Sequence, residues 1–191
     1  MKEKNYKLET KLIRAGLNRT QFNETSEPIF MTSSYVYDSP EQAEARFKGE
    51  DEGFIYSRYG NPTVKLFEDR LAAIEKGEKC FATSTGMAAV FASLMCILEQ
   101  GDKVVASRAL FGSCYQILTK ILPKYGIETI LVSGTNIEEW EEAIDDRTKA
   151  VFFETPSNPT LEIIDISAVC KIAKKHGAKV IIDNVFATPI L

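Results

Sequence analysis

A chain of 191 residues, 45% hydrophobic and 26% charged, is long enough for one domain with a substantial core, alone or with an arm. Its formal net charge of -4 and pI near 5.2, with no run of lysine and arginine, exclude a general affinity for nucleic acid or acidic membranes. The four cysteines (Cys80, Cys96, Cys114, Cys170) lack CxxC spacing and His176 is the single histidine, which excludes a zinc site. Cys80, Cys96 and Cys170 stand among apolar residues and read as reduced, buried small hydrophobes. Residues 1–10 are polar and charged, unlike a signal peptide, and the longest apolar stretch, 87–98, is too short for a membrane span. The expected location is the cytoplasm.

Residues 8–14 form the first periodic piece, a short amphipathic helix, and 28–35 read as extended chain. The segment 1–59 is an arm and loop whose Ile29, Phe30, Tyr35 and Tyr37 have no core of their own. It either packs on a second subunit or wraps its own domain. Ser39-Pro40 and Asn61-Pro62 each pair an N-cap residue with proline at the first helical position. Val64, Leu66, Phe67, Leu71 and Ile74 then follow at helical spacing until Gly77.

From there the pattern alternates. Strands are predicted at 80–83, 103–107, 127–132, 150–154 and 180–184. Helices are predicted at 86–98, 112–125, 137–144 and 166–176, with Gly126 and Gly177 closing two of them. Continuous apolar strands, each followed by an amphipathic helix, imply an α/β fold with a mostly parallel, helix-covered sheet. This domain spans 60–191 and is still running at its end, where 186–191 read as an interrupted loop.

Ligands of such sheets bind outside the carboxyl ends of the strands. After 80–83 come Ser84, Thr85, Gly86 and Met87 at a helix start, either an anion site of free amides or a plain Ser84 N-cap. After 103–107 comes Phe111, an aromatic plate or a core residue. After 150–154, two prolines hold Asn158 at the edge, poised for a ligand or merely solvated. Asp183 ends its strand and needs a cation, a protonated heterocycle nitrogen or a structural Arg or Lys. No Walker A or GxGxxG motif occurs. Together the set suits a flat phosphorylated cofactor with a ring nitrogen, such as pyridoxal 5'-phosphate.

Tyr56-Ser57-Arg58-Tyr59-Gly60-Asn61-Pro62-Thr63, Ser84-Thr85-Gly86-Met87-Ala88-Ala89, Glu154-Thr155-Pro156-Ser157-Asn158-Pro159 and Asp183-Asn184 resemble, in order and spacing, the Cys/Met-metabolism pyridoxal-phosphate enzymes. That family includes cystathionine γ-synthases and lyases, methionine γ-lyases and homoserine-ester sulfhydrylases. The resemblance implies an aspartate-aminotransferase-like cofactor domain and a homo-oligomer, dimer or tetramer, with active sites shared across a dimer. By the same resemblance Ser84, Gly86 and Met87 hold the cofactor phosphate, and Tyr56 and Arg58 reach the phosphate of a neighbouring subunit. Asp183 pairs with the ring nitrogen, Asn158 lies near the ring hydroxyl, and the arm is similar to an intersubunit clasp.

Phe111 stands where many members carry a tyrosine able to move protons; it can stack but not transfer one. With 110–113 and 183–189, it most resembles the O-succinylhomoserine sulfhydrylase branch: sulfide replacing the γ-ester to give homocysteine in methionine biosynthesis. Ser113 stands where a methionine γ-lyase cysteine is expected, with Cys114 one place off. Rivals are transsulfuration with cysteine, γ-elimination, or a non-catalytic piece that docks on a complete subunit. The family's Schiff-base lysine is expected beyond Leu191. Lys79, Lys103, Lys149 and Lys179 precede strands, at the wrong edge, and Lys65, Lys120, Lys171, Lys174 and Lys175 are solvated helix residues. Alone, the chain is expected to be catalytically silent.

Overall fold

The computed structural model describes residues 6–189, so the expected loop at Ile190 and Leu191 lies outside the described residues. The chain folds as two compact units that divide between Ala82 and Thr83, later than the boundary at 59/60 expected from the sequence. The reason lies in the first unit. Helix α1 (Leu8–Arg14) packs on α3 (Pro62–Glu75), and the arm is tied to α3 by hydrogen bonds. Asn61 Nδ2 donates to the Phe30 carbonyl at 3.0 Å, and the Phe30 N–H donates to Thr63 Oγ1 at 2.9 Å. Arg70 Nε donates to the Ala15 carbonyl at 3.0 Å, and its guanidinium pairs with Glu27. Gly16 passes so close that a Cβ there would meet the Leu66 carbonyl oxygen at 2.7 Å. The arm thus wraps its own helix. It still leaves Phe22, Ile29, Met31 and Val36 largely exposed.

Both predicted caps form. Ser39 Oγ accepts the Gln42 N–H ahead of α2 (Pro40–Lys48), and Asn61 Oδ1 accepts the Thr63 N–H ahead of α3. These satisfy amides that a helix start otherwise leaves orphaned. The strand expected at 80–83 does not form. That segment is extended chain with no sheet partner among the described residues: Glu68 Oε1 takes the Ala82 N–H at 2.7 Å, and Phe81 is exposed.

The second unit opens with α4 (Gly86–Met95), whose N-cap is Thr85 rather than Ser84. Strand β1 (Lys103–Ser107) follows, then α5 (Gly112–Gln116), which loosens into a π-helical turn (Ile117–Ile121) and a 3-10 turn (Leu122–Tyr125). The single helix expected over 112–125 is broken because Pro123 has no N–H for the Thr119 carbonyl and its ring crowds it. Then come β2 (Glu128–Val132), α6 (Ile137–Ala143), β3 (Thr148–Glu154), α7 (Ile166–Lys175) and β4 (Lys179–Asp183).

The four strands form one parallel sheet in the order β2-β1-β3-β4. Alternation sorts its residues onto two faces. Val104, Ala106, Ala150 and Phe152 pack with α4 and the α5 segment, through Leu94, Cys114, Leu118 and Leu122. Val105, Val151 and Phe153 pack with α6 and α7, through Trp140, Val169 and Ile172. Fully burying a side chain of the Phe152 or Phe153 kind contributes roughly 1.5–3 kcal/mol. Both faces are therefore apolar, which is why the strands read as unbroken runs. The cysteines differ from expectation: Cys114 is the buried one, Cys80 and Cys170 are half-buried, and Cys96 is exposed. Cys96 caps the end of α4, where its thiol reaches only the Ser93 carbonyl.

Candidate functional site

The strand order fixes where a ligand can enter. β1 sends the chain outward to β2, and the chain then crosses back to β3 on the other side of β1. Connections leaving β1 and β3 diverge at this switch point, and the crevice outside their carboxyl ends is the natural binding place of an open α/β sheet. The loop after β1 carries Phe111, and β3 ends in Glu154. One hydrogen bond spans the switch point: the Phe111 N–H donates to Glu154 Oε2 at 2.8 Å.

Glu154 pairs in register with Asp183 at the end of β4. By alternation from Phe152 and Ile181, both carboxylates emerge on the face that carries α4 and α5. Glu154 is fully buried, and its Oε1 has no hydrogen-bond partner. Burial pushes its carboxyl above the usual carboxylate range, the Phe111 and Asn158 backbone amides oppose this, and the Asp183 charge adds to it. Asp183 is half-buried; its Oδ1 accepts the Val185 N–H at 3.1 Å, and Cys114 Sγ lies 4.0 Å from Oδ2. Burial, then Asp183 and Glu154, pushes the Cys114 thiol up to about 11, so it stays protonated. Among the described residues no lysine, arginine or histidine pairs with either carboxylate. Two acids at the end of a buried sheet without a cation make a place that attracts one.

Phe111 is not core: the residue is 42% exposed, while its backbone N–H reaches Glu154 of the acid pair. Ser113 is exposed and Cys114 turns inward, so the cysteine one place off the expected position is a buried thiol under Asp183.

On the same face, Met87 in the first turn of α4 packs with the cluster that holds Leu110 and Cys114. Thr85 Oγ1 caps the Ala88 N–H at 3.0 Å, which leaves the Gly86 and Met87 amides without partners among the described residues. A Cβ at Gly86 would meet nothing within 4 Å, so the space beside Gly86 is open. Ser84 is exposed beside it. Free amides at the start of a ten-residue helix favour an anion.

Asn158 sits in the turn after β3, half-buried, with a side chain that makes no hydrogen bond among the described residues. Its neighbours do the holding. Ser157 Oγ meets Thr160 Oγ1 at 2.7 Å and accepts the Glu162 N–H at 2.9 Å, while Thr155 Oγ1 accepts the Ile164 N–H at 3.0 Å.

In the first unit, the Arg58 guanidinium lies over the Tyr56 ring at 5.1 Å and the Tyr59 ring at 5.3 Å. It is exposed and has no carboxylate partner among the described residues, so its charge is available to an outside anion. This loop is anchored by the antiparallel bridge of Tyr56 to Ser34 and by the Ser57 N–H donating to the Ser33 carbonyl at 2.9 Å. Open hollows of about 530 and 290 Å³ run along the arm of this unit, and no residue of the acid pair lines them.

Sequence reasoning placed Phe111 and Asp183 at one edge, and the structure brings both to it. It passed over Glu154 and Ser157. The signal for Glu154 was present: a charged residue closing the apolar run of 150–153, which a buried strand excludes unless something requires it.

Comparison with known proteins shows the family. The model of the family described as Cys/Met metabolism PLP-dependent enzyme matches residues 9–191. An O-succinylhomoserine sulfhydrylase of Mycobacterium tuberculosis is 52% identical over 94% of this chain and 44% of its own length. An L-methionine gamma-lyase of Fusobacterium nucleatum is 40% identical over 100% of this chain and 49% of its own. A Campylobacter jejuni structure carrying N'-pyridoxyl-lysine-5'-monophosphate superposes with a TM-score of 0.93 at 36% identity, over 98% of this chain and 46% of that one. Cystathionine gamma-lyase from Lactobacillus plantarum gives 0.84 at 34%, over 96% and 46%. The chain spans about half the length of the curated relatives it matches.

Proposed function

Because the chain belongs to the Cys/Met metabolism PLP-dependent enzymes, we propose that the protein replaces the γ-ester of an O-acylhomoserine with sulfide, giving homocysteine in methionine biosynthesis. The observation that carries this reading is Asp183, a carboxylate at the carboxyl edge of the sheet with no cation partner among the described residues. The residues present fit pyridoxal phosphate. A pyridinium N–H supplies the positive charge that Asp183 lacks, and the Gly86 and Met87 amides, without partners among the described residues, suit a phosphate beside the open Gly86. Bound there, the cofactor supplies the electron sink for breaking bonds at the carbons of an amino acid.

The chain's own residues do the rest. Asp183 holds a proton on the ring nitrogen. Gly86 and Met87, with Ser84 beside them, hold the phosphate, while Asn158 offers a free amide to the ring hydroxyl. Phe111 covers the ring without moving protons, since it has no hydroxyl. Tyr56 and Arg58 reach the phosphate bound by a second copy of the chain; the support is Arg58's exposed, unpaired charge, pre-oriented by two aromatic rings. The described strand lysines are not Schiff-base candidates. Lys103, Lys149 and Lys179 open their strands at the amino edge, opposite the acids.

Support for the sulfhydrylase branch comes from Phe111, from the inward-facing Cys114, and from the similarity to the Mycobacterium tuberculosis sulfhydrylase. The similarity to methionine gamma-lyases supports a second reading, γ-elimination, with transsulfuration by cysteine as a third. Product analysis with O-succinylhomoserine and either sulfide or cysteine separates them. Homocysteine from sulfide is expected; a preference for cysteine, or ketoacid release without a nucleophile, overturns the branch.

A further inference from the structure

Glu154 is used by none of the roles above, yet it is the most expensively placed side chain at the site. It is fully buried at the end of a strand whose preceding residues are Ala150, Val151, Phe152 and Phe153. An apolar residue would fill that position without desolvating a carboxyl. Other buried polar groups nearby are satisfied: Ser107 Oγ accepts the Ala109 N–H, and Thr155 Oγ1 accepts the Ile164 N–H. Glu154 leaves Oε1 without a partner; its Oε2 accepts the Phe111 N–H at 2.8 Å, and the Asn158 backbone amide also acts on the carboxyl. The bond from Phe111 is not needed to finish a helix. Phe111 is the residue before α5, 42% exposed, and water could serve its amide.

What the bond does is fix direction. Phe111 has extended backbone, φ -54° and ψ 137°, and no side-chain cap holds the turn into α5. The segment 108–111 leaves β1 on one side of the switch point, and Glu154 ends β3 on the other. Tying the Phe111 amide to Glu154 therefore sets where its ring stands relative to Asp183, Glu154's register partner. We propose that Glu154 is a positioning residue, whose buried carboxyl anchors the Phe111 backbone so that the aromatic ring lies at a set angle to the ring held by Asp183. The proposal rests on the reading of Asp183 as the partner of a pyridinium nitrogen. Burial, together with the neighbouring Asp183 charge, favours the protonated form of Glu154.

The test uses the full chain with E154A and E154Q, and pyridoxamine 5'-phosphate as the probe. Two quantities are read: hydrogen exchange of the Phe111 amide without ligand, and circular dichroism induced in the probe's absorption band at saturation. E154A is expected to speed Phe111 exchange by about tenfold or more, the loss of one hydrogen bond, and to shrink the induced signal. E154Q keeps an acceptor oxygen and is expected to restore both. Unchanged exchange in E154A overturns the anchor, and faster exchange with an unchanged induced signal overturns the positioning role. E154Q behaving like E154A also overturns it, since the acid rather than the acceptor would then matter. If E154A fails to fold, E154D, whose carboxyl falls short by one methylene, takes its place with the same expectations. D183N serves as the control for the underlying reading. If it binds the probe as the wild type does, the assignment of Asp183 fails, while Phe111 exchange still decides whether Glu154 is the anchor.

Discussion

The two ends of the same sheet treat charge in opposite ways. At the amino edge, the Lys103 side chain is 6% exposed, and its Nζ donates to the Ala143 carbonyl and to Asp145 Oδ2, both at 2.8 Å. The Lys103 hydrogen bond, foremost, holds the Asp145 carboxyl down at about 2. At the carboxyl edge, Glu154 and Asp183 lie side by side with a protonated Cys114 and no cation among the described residues. A buried charge that serves only the fold is closed within the fold, as Lys103 is. Acids left open at a switch point are built for something that arrives later.

The sharpest way to break this contrast is thiol chemistry. With its pKa near 11 against an ordinary 9.0, Cys114 has about 100-fold less thiolate than a free thiol. Mass spectrometry after iodoacetamide at mild alkaline pH should show exposed Cys96 modified long before Cys114. Equal rates would mean that the acid edge does not act on Cys114 as described. Next in size is ligand binding. D183N should weaken pyridoxamine 5'-phosphate roughly 10- to 100-fold by titration calorimetry, the worth of one charge-assisted hydrogen bond.

Effects on stability are smaller. Lys103→Met should lower it by about 1–3 kcal/mol in denaturant melts, because the Ala143 carbonyl loses its donor. It should also change the acid limb. Asp145, with a folded pKa below its ordinary value of 3.8, contributes stability that is present above about that pH and lost as pH falls toward about 2. In Lys103→Met that acid-dependent loss should largely vanish. Glu154→Gln should act with the opposite sign. A carboxyl whose pKa is raised on folding costs stability as pH climbs above 4.5, so the glutamine variant should gain on the wild type from pH 4.5 upward and match it below. A wild type that instead grows more stable over that range relative to the variant would show that Glu154 is ionised and satisfied.

Legibility followed range along the chain. Ser39-Pro40 and Asn61-Pro62 were readable because a cap and its helix are settled within four residues. The strands at β1 to β4 were readable because each carries an apolar run, fully buried in the central β1 and in residues 150–153 of β3. The 80–83 segment is equally apolar and misled for that reason: composition cannot say whether a neighbouring strand exists to pair with it. Cys96 misled similarly, since its apolar neighbours face inward while the cysteine at the end of α4 faces out. The unit boundary at Ala82/Thr83 depends on Asn61, Thr63 and Arg70 reaching back to the arm, contacts between residues far apart in sequence.

By itself, then, the sequence determined the alternating α/β pattern, the caps, and the candidates Phe111, Asn158, Asp183 and Gly86, all of which are local signals of period, capping and strand ends. Tertiary structure alone decided that β3 pairs with both β1 and β4, and so that Glu154 stands between Phe111 and Asp183. Strand order is chosen by packing between distant segments, and no local pattern carries it. The charge state of the acid edge follows from that choice, because burial and an acidic neighbour exist only once the strands are side by side.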